Sequence, residues 1–307
     1  MHKILILLIC LPCTIACVVW YSFTRTSPRS TTRQQRRSQN QKSETLFHDM
    51  EHYDTIQHGV HSGNVYQHGV WVARCIAHWF DIQHPWVEGI PSRYKKILVW
   101  AGFLHDIGKC GDHVYRFRTK PAHPFVGCEY IMGSRQYRLQ DSTHFDVHAW
   151  LKAQDLTQEE CTLVALLVHN HSLFGSEVVK YGKPKSDNTK LFEHYYSHLK
   201  TITQELGYHN GSLDALIIRM AMLIGAADVK GFNNIAYNNF HEDYWHPAWN
   251  IAMTPAHQAA DDKYLTWEFE TKGLVLKKQL LTYVTNNTKT KLWLIDKNSI
   301  LFKDKQA

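Results

Sequence analysis

An adjacent histidine and aspartate, His105 and Asp106, are the residues of this 307-residue chain whose types and spacing are best suited to binding a metal ion. They end an apolar run in which hydrophobic residues recur at helical spacing, so His105 should lie on a buried helix face. One imidazole beside one carboxylate suits a divalent metal ion. A helix C-terminus explains the same pattern, because histidine is favoured in the last turn and Gly108 would end the helix. This stretch alone leaves both interpretations open.

Other segments place further metal-ligand side chains on apolar helical faces. His68 lies on one stripe with Val72. Asp228 shares a face with Ile224, where a carboxylate is costly unless it is paired or metal-bound. A single buried histidine is usually an ordinary core residue, but several such positions in one helical domain are harder to explain in that way. The candidate ligands are His68, His105, Asp106, His123, Asp228 and one or both of His169 and His171.

These ligand types indicate a particular chemistry. Neutral imidazoles, together with a carboxylate able to bridge, are suitable ligands for two adjacent divalent metal ions. Two such ions about 3.5–4 Å apart can hold a hydroxide between them and bind a phosphate oxygen. The sequence therefore predicts hydrolysis of a phosphoester.

The order of these residues, H…HD…H…H…D, resembles that of the HD-domain superfamily of metal-dependent phosphohydrolases over about residues 60–230. Within it, His105-Asp-Ile-Gly-Lys109 and His123-Pro-x-x-Gly127 resemble the HD-GYP branch, whose members hydrolyse cyclic dinucleotides. The chain lacks that branch's Gly-Tyr-Pro segment and has His169-Asn-His-Ser-Leu-Phe-Gly175 instead. The same order is similar to the branch that cleaves bis-nucleosyl tetraphosphates and, more weakly, to the HD-type relaxases of conjugative elements, which act on DNA.

The resemblance implies roles for the candidate ligands. A first metal ion would be bound by His68, His105, Asp106 and Asp228. Asp106 would bridge to a second ion, completed by His123 and by His169, His171 or both. The expected cofactor is therefore two divalent transition-metal ions, Fe, Mn or similar.

Positively charged residues near the ligands are candidate phosphate contacts. Lys109 matches the family lysine that contacts substrate phosphate, and a solvated lysine after a helix end is the plainer alternative. Arg116 and Arg118 precede His123 and could receive phosphate charge, or they could belong to a solvated basic loop. The expected catalytic residues are Asp106 and Lys109, and the expected substrate contacts are Lys109, Arg116 and Arg118.

The elements that must position these residues are predicted to be helices. Thr157-Gln-Glu-Glu160 is a capping box that opens one of them, and Pro124 suits the first turn of another. After about Met253, short apolar runs separated by Thr-Asn-Asn-Thr predict a small β-appendage with a hairpin turn near Asn286-Asn287. The predicted fold is mainly α: an HD-domain helical bundle with an N-terminal transmembrane helix and a small C-terminal β-appendage.

The N-terminal segment has the composition of a membrane span. Residues 4–23 carry no charge and could cross a hydrocarbon layer about 30 Å thick. Arginines follow them, so the positive-inside rule predicts a single-pass anchor with the catalytic domain in the cytoplasm; a cleaved signal peptide is the alternative. Residues 24–45 are predicted to be a basic disordered tether, residues 46–252 the phosphohydrolase domain and residues 253–307 a C-terminal extension.

Composition bears on the partners of the chain. The net charge is +6, but much of the excess lies in the N-terminal tether, so nucleic acid binding is possible but not favoured. Of the seven cysteines, Cys10 and Cys13 form a CxxC spacing within the apolar N-terminal run, and those of the body are scattered. This is not the pattern of a disulfide framework and fits a reducing compartment. The expected partners are a phosphorylated small-molecule or nucleotide substrate and a membrane, through residues 4–23.

We therefore predict a metal-dependent phosphohydrolase or phosphodiesterase that acts on a nucleotide or cyclic (di)nucleotide. Two alternatives belong to other classes. A DNA-processing, relaxase-like protein would have a continuous basic groove and salt-dependent DNA binding. A non-catalytic metal or nucleotide sensor would keep the same ligands without turnover.

Overall fold

A computed structural model describes residues 41–53, 64–111, 123–207, 214–230 and 268–288. The chain divides into two compact units, Met1–Ser43 and Glu44–Ala307. The described residues are mainly helical, which confirms the α-helical class predicted from the sequence. The α-helices are α1 (residues 41–51), α2 (Val65–Asp81), α3 (Lys95–Leu104), α4 (His123–Met132), α5 (Val147–Ala153), α6 (Gln158–Asn170), α7 (Thr189–Glu205), α8 (Asp214–Lys230) and α9 (Leu274–Thr288).

Shorter elements connect the helices. Two strands, β1 (Tyr137–Arg138) and β2 (His144–Phe145), form an antiparallel pair between α4 and α5. The remaining turns are the 3-10 turns Pro85–Val87, Ser92–Tyr94 and Ile107–Lys109 and the π-helical turns Phe174–Val179 and Glu268–Gly273. The predicted capping box is confirmed, because Thr157 and Glu160 each bond the backbone N–H of the other at the start of α6.

Helices α2 and α3 cross closely because each contributes a glycine to the crossing. A Cβ atom on Gly69 would lie 2.3 Å from the backbone oxygen of Phe103, and one on Gly102 would lie 2.5 Å from Cδ1 of Ile76. Gly69 has no room for a side chain against the backbone, and a side chain at Gly102 would force Ile76 to shift. This close approach brings His68, beside Gly69, next to His105 at the end of α3.

The turn that follows α3 lies directly against the start of α4. A Cβ atom on Gly108 would lie 1.9 Å from the backbone oxygen of His123 and 2.6 Å from the backbone nitrogen of Gly127. The two glycines therefore let the backbones touch, which explains physically why one glycine follows Asp106 and another follows His123 by one helical turn. The contact places His123 beside Asp106.

The C-terminal helix α9 corrects the predicted β-appendage. Leu274–Thr288 is one α-helix, and it includes the apolar runs before Thr-Asn-Asn-Thr that were predicted as strands and the Asn286 position predicted as a hairpin turn. Leu276, Leu280 and Val284 are buried at four-residue spacing, so the helix lays one apolar face on the core,. Residues 289–307, the rest of the predicted appendage, lie outside the described residues.

The structure contradicts the predicted single-pass membrane localisation. Among the described residues, no helix is long and apolar enough to cross a bilayer. The helices α2, α7 and α8 have 17 residues each, whereas a span needs about 20 predominantly apolar residues. Residues 4–23, for which the anchor is predicted, and residues 24–40 of the predicted tether lie outside the described residues, whereas residues 41–45, also predicted as disordered tether, belong to helix α1.

Candidate metal centre

Five helical segments bring the candidate ligands together in the interior. The side chains come from α2, the end of α3, the first turn of α4, the end of α6 and α8. The exposed fractions are 0% for His68 and His105, 1% for Asp106, 2% for His171 and 9% for Asp228. Polar groups buried to this degree are costly unless they bind each other or a ligand.

One part of the centre contains two imidazoles and a carboxylate. The Nε2 atom of His68 lies 2.9 Å from Oδ1 of Asp228, and Nε2 of His105 lies 3.3 Å from the same oxygen. These two nitrogens also face Oδ2 of Asp106, at 4.0 Å and 3.4 Å. The first group of ligands predicted from the sequence, His68, His105, Asp106 and Asp228, is thus assembled around neighbouring oxygen atoms.

The other oxygen of Asp106 faces a second pair of imidazoles. Oδ1 of Asp106 lies 3.0 Å from Nε2 of His123 and 3.8 Å from Nε2 of His171. The two Nε2 atoms are 3.2 Å apart. Asp106 therefore stands between two groups of side chains and presents a different oxygen to each, which is the arrangement expected of a bridging carboxylate.

Backbone contacts orient two of the imidazoles. Nδ1 of His105 lies 2.7 Å from the carbonyl oxygen of Gly102, and Nδ1 of His171 lies 2.8 Å from that of Val168. A carbonyl oxygen only accepts hydrogen bonds, so Nδ1 is the donor in both rings. In the neutral ring, the lone pair is then on Nε2, which points into the centre in both cases, as in known metal-binding histidines.

Burial and neighbouring charges set the protonation of the centre. Burial by itself raises the pKa of Asp106, but the Lys109 ammonium and His105 outweigh it and hold that pKa well below its usual range. Burial lowers the pKa of His105, but Asp106 and Asp228 outweigh it and raise that pKa to about 10. Burial and then the charge of His105 lower the pKa of His171 to about 3. His105 would have to release a proton to bind a metal ion.

The donor set fits divalent metal ions. His68, His105 and Asp228 each offer one ligand atom within 4.8 Å of the others, as do His105, Asp106 and His171. No well-directed hydrogen bond satisfies Nε2 of His105 or Oδ1 of Asp106 within the described residues. Buried imidazole nitrogens and carboxylate oxygens with unused lone pairs are ligands that Fe, Mn and Zn accept.

His169 and His171 are separated by the structure. His171 is in the centre, whereas His169 is half-buried and its ring lies 6.0 Å from that of Phe125, in an edge-to-face contact. Burial and then the charge of His198 lower the pKa of His169. Of the two, only His171 shares the apolar stripe of α6 with Val168, so helical periodicity contains the signal that distinguishes them.

Of the three predicted phosphate contacts, the described residues include Lys109 alone. Lys109 is buried, and its Nζ donates to Oδ2 of Asp106 at 2.5 Å, so its partner here is a carboxylate of the centre. Arg116 and Arg118 lie outside the described residues, within 112–122. The described residues therefore assign the lysine a partner that the sequence did not predict.

A network behind the centre supports the turn after Asp106. The hydroxyl groups of Tyr53 and Tyr130 donate to the carbonyl oxygens of Gly111 and Cys110, each at 3.3 Å. The buried carboxylate of Asp49 accepts from the hydroxyl of Tyr137 at 2.5 Å. No local motif marks these residues, because their partners are distant in sequence, so the sequence does not predict them.

Comparisons of the chain with protein-family models, with curated proteins and with solved structures gave no match. The interpretation of the centre therefore depends on its own geometry and chemistry.

Proposed function

We propose that the chain is a metal-dependent phosphohydrolase of the HD-domain type, which uses two divalent transition-metal ions to hydrolyse a phosphoester of a nucleotide or cyclic nucleotide. The observation that carries the proposal is the position of Asp106. Its Oδ2 faces His68 and His105, and its Oδ1 faces His123 and His171. A carboxylate that serves two imidazole groups is what a dinuclear site needs.

Each residue of the centre has a specific task in this proposal. His68, His105 and Asp228 would hold one ion, His123 and His171 the other, and Asp106 both. When bound, the ions supply Lewis-acid activation of water and of a phosphoryl oxygen. The side chain of His123 is 28% exposed, against 2% or less for the other three imidazoles, so the substrate would approach from the side of His123.

The metal content of the full-length protein tests this proposal. Wild type should retain about two transition-metal ions per chain, and Asp106→Asn should lose most of both, because the amide is a far weaker ligand and cannot bridge in the same way. Asp81→Asn is the matched control, since Asp81 pairs at 2.7 Å with Lys95 and its side chain is half exposed. A content of one ion or none, unchanged by Asp106→Asn, would contradict the metal site.

Turnover separates an enzyme from a sensor. The metal-loaded wild type should hydrolyse at least one of a cyclic dinucleotide, a bis-nucleosyl tetraphosphate and a simple phosphodiester, and Asp106→Asn should reduce the rate by at least about a hundredfold, because the removed group holds both ions. Two bound ions without hydrolysis of any of these would instead favour the non-catalytic sensor.

A further inference from the structure

The ammonium group of Lys109 occupies a position inside the candidate metal centre. Its side chain is 4% exposed, and Nζ lies 2.5 Å from Oδ2 of Asp106. The same oxygen faces Nε2 of His105 at 3.4 Å and Nε2 of His68 at 4.0 Å. The lysine therefore binds the carboxylate oxygen that faces the first group of ligands, and it does so from within the protein interior.

Local backbone geometry builds this contact into the chain. Lys109 ends the 3-10 turn Ile107–Lys109, and its backbone N–H donates to the carbonyl oxygen of Asp106 at 2.9 Å. Residues three apart in such a turn lie on the same side, which directs the lysine back onto the aspartate. A buried carboxylate without a cation would be costly, so the ammonium stabilises Asp106 where it stands.

A bound metal ion would compete with this ammonium. An ion held by Asp106, His68 and His105 would stand within a few ångströms of Nζ if Lys109 kept its place. Like charges at that distance repel strongly in a water-poor interior. The metal ion and the Lys109 ammonium cannot both bind Oδ2 of Asp106 without strong repulsion. The lysine side chain is flexible, so it is the cation that can turn away.

We propose that Lys109 is the resident counter-ion of Asp106 in the metal-free chain and that it gives up this position when the first metal ion binds. The inference rests on the proposed function, because it presumes a metal ion at Asp106. Lys109 is in this respect a positioning residue: it holds the bridging carboxylate between the two imidazole groups before loading. Its release leaves an ammonium beside the ions, where its charge suits an anionic substrate group.

The variant Lys109→Met tests the exchange, because methionine keeps a long side chain and removes the charge. Without metal, the variant should unfold about 5–10 °C below wild type, since Asp106 loses its buried partner. The affinity of the first metal ion, measured by titration calorimetry with Mn²⁺, should rise by about tenfold or more, since the competing cation is gone. If Lys109 were purely structural, Lys109→Met would lower both the melting temperature and the affinity for the first metal ion.

Lys95→Met is the matched control and should change the metal affinity by less than about twofold, because Lys95 pairs with exposed Asp81,.

A second measurement needs only the wild type, so it holds even if Lys109→Met fails to fold. An amine-reactive reagent, followed by mass spectrometry, should leave Lys109 unmodified in the metal-free protein and modify it at least about fivefold faster after Mn²⁺ is added, with Lys95 as the internal reference. Unchanged protection of Lys109, or a weaker metal affinity in Lys109→Met, would overturn the exchange. Absence of metal binding by wild type would instead overturn the proposed function itself.

Discussion

Two histidines that are two residues apart have different surroundings. Positions i and i+2 of an α-helix point about 200° apart around its axis. His171 accordingly directs Nε2 to Asp106 at 3.8 Å, whereas His169 packs its ring on Phe125. At the residue scale, a histidine of this segment is a candidate ligand only if its ring lies on the side of the helix that faces Asp106.

This difference predicts opposite results for two matched variants. His171→Ala should lower the affinity for at least one metal ion by more than about a hundredfold, because removal even of a group that only orients a ligand costs about 10–100-fold. His169→Ala should change it by less than about threefold. Calorimetric titration with Mn²⁺ measures both. Equal losses in the two variants would show that His169 also contributes to metal binding.

The helix α9 is fixed to the rest of the domain by a buried lysine. Nζ of Lys277 donates to the carbonyl oxygens of Pro85 and Trp86, at 2.7 Å and 3.0 Å, and lies 5.4 Å from the centre of the Trp86 ring. The Trp86 ring packs in turn against Phe174, which follows His171 by one turn. At the element scale, α9 therefore supports the segment that leaves the candidate metal centre.

The buried lysine predicts a pH dependence of stability. Burial, and then the charge of Arg219, lower the pKa of Lys277 from its usual value of 10.5 to about 8. Between these values the unfolded chain binds a proton that the folded chain does not, so the free energy of unfolding should rise with pH from about 8 to 10.5. The gain, about 1–3 kcal/mol, should be absent from Lys277→Met.

Denaturant unfolding of wild type and Lys277→Met at pH 7.5, 9 and 10.5 gives the difference between their free energies of unfolding. The contributions of other titrating groups cancel in this difference. A constant difference between wild type and Lys277→Met across this range would contradict the prediction.

At the scale of the whole molecule, the centre couples distant parts of the chain. Its candidate ligands extend from His68 to Asp228 and come from five helical segments. Glycines at the crossings make this possible: besides those of α2 and α3, Gly225 of α8 approaches the carbonyl oxygen of His171 so closely that a Cβ atom would lie 2.6 Å from it. A ligand bound at the centre would tie these helices together.

Metal binding should therefore raise the stability of the entire domain. At a free Mn²⁺ concentration a hundredfold above the dissociation constant, one ion adds about 2.7 kcal/mol to the free energy of unfolding, or about 5–10 °C in melting temperature for a domain of this size. Thermal unfolding with and without Mn²⁺ measures the shift, and a chelator should reverse it. Asp106→Asn is the control and should show a much smaller shift. An equal shift in both proteins would mean that the ion binds elsewhere.

The sequence by itself determined the helical class, the capped start of α6 and the side chains that could bind metal, because these follow from local spacing and residue type. It did not determine the structure of α9: Leu276, Leu280 and Val284 fit a helix, but short apolar runs beside Asn286-Asn287 also fit strands and a turn. Tertiary packing decided in favour of the helix, whose apolar face meets the core.

Tertiary structure alone decided how the ligands are grouped. The sequence could list His68, His123 and Asp228, but the distances among them depend on helix crossings that no local pattern specifies. The partner of Lys109 was likewise decided by burial, because a lysine that water would solvate on a surface must pair with Asp106 in the interior,. Local chemistry therefore fixed which residues are able to act, and long-range packing fixed which of them meet.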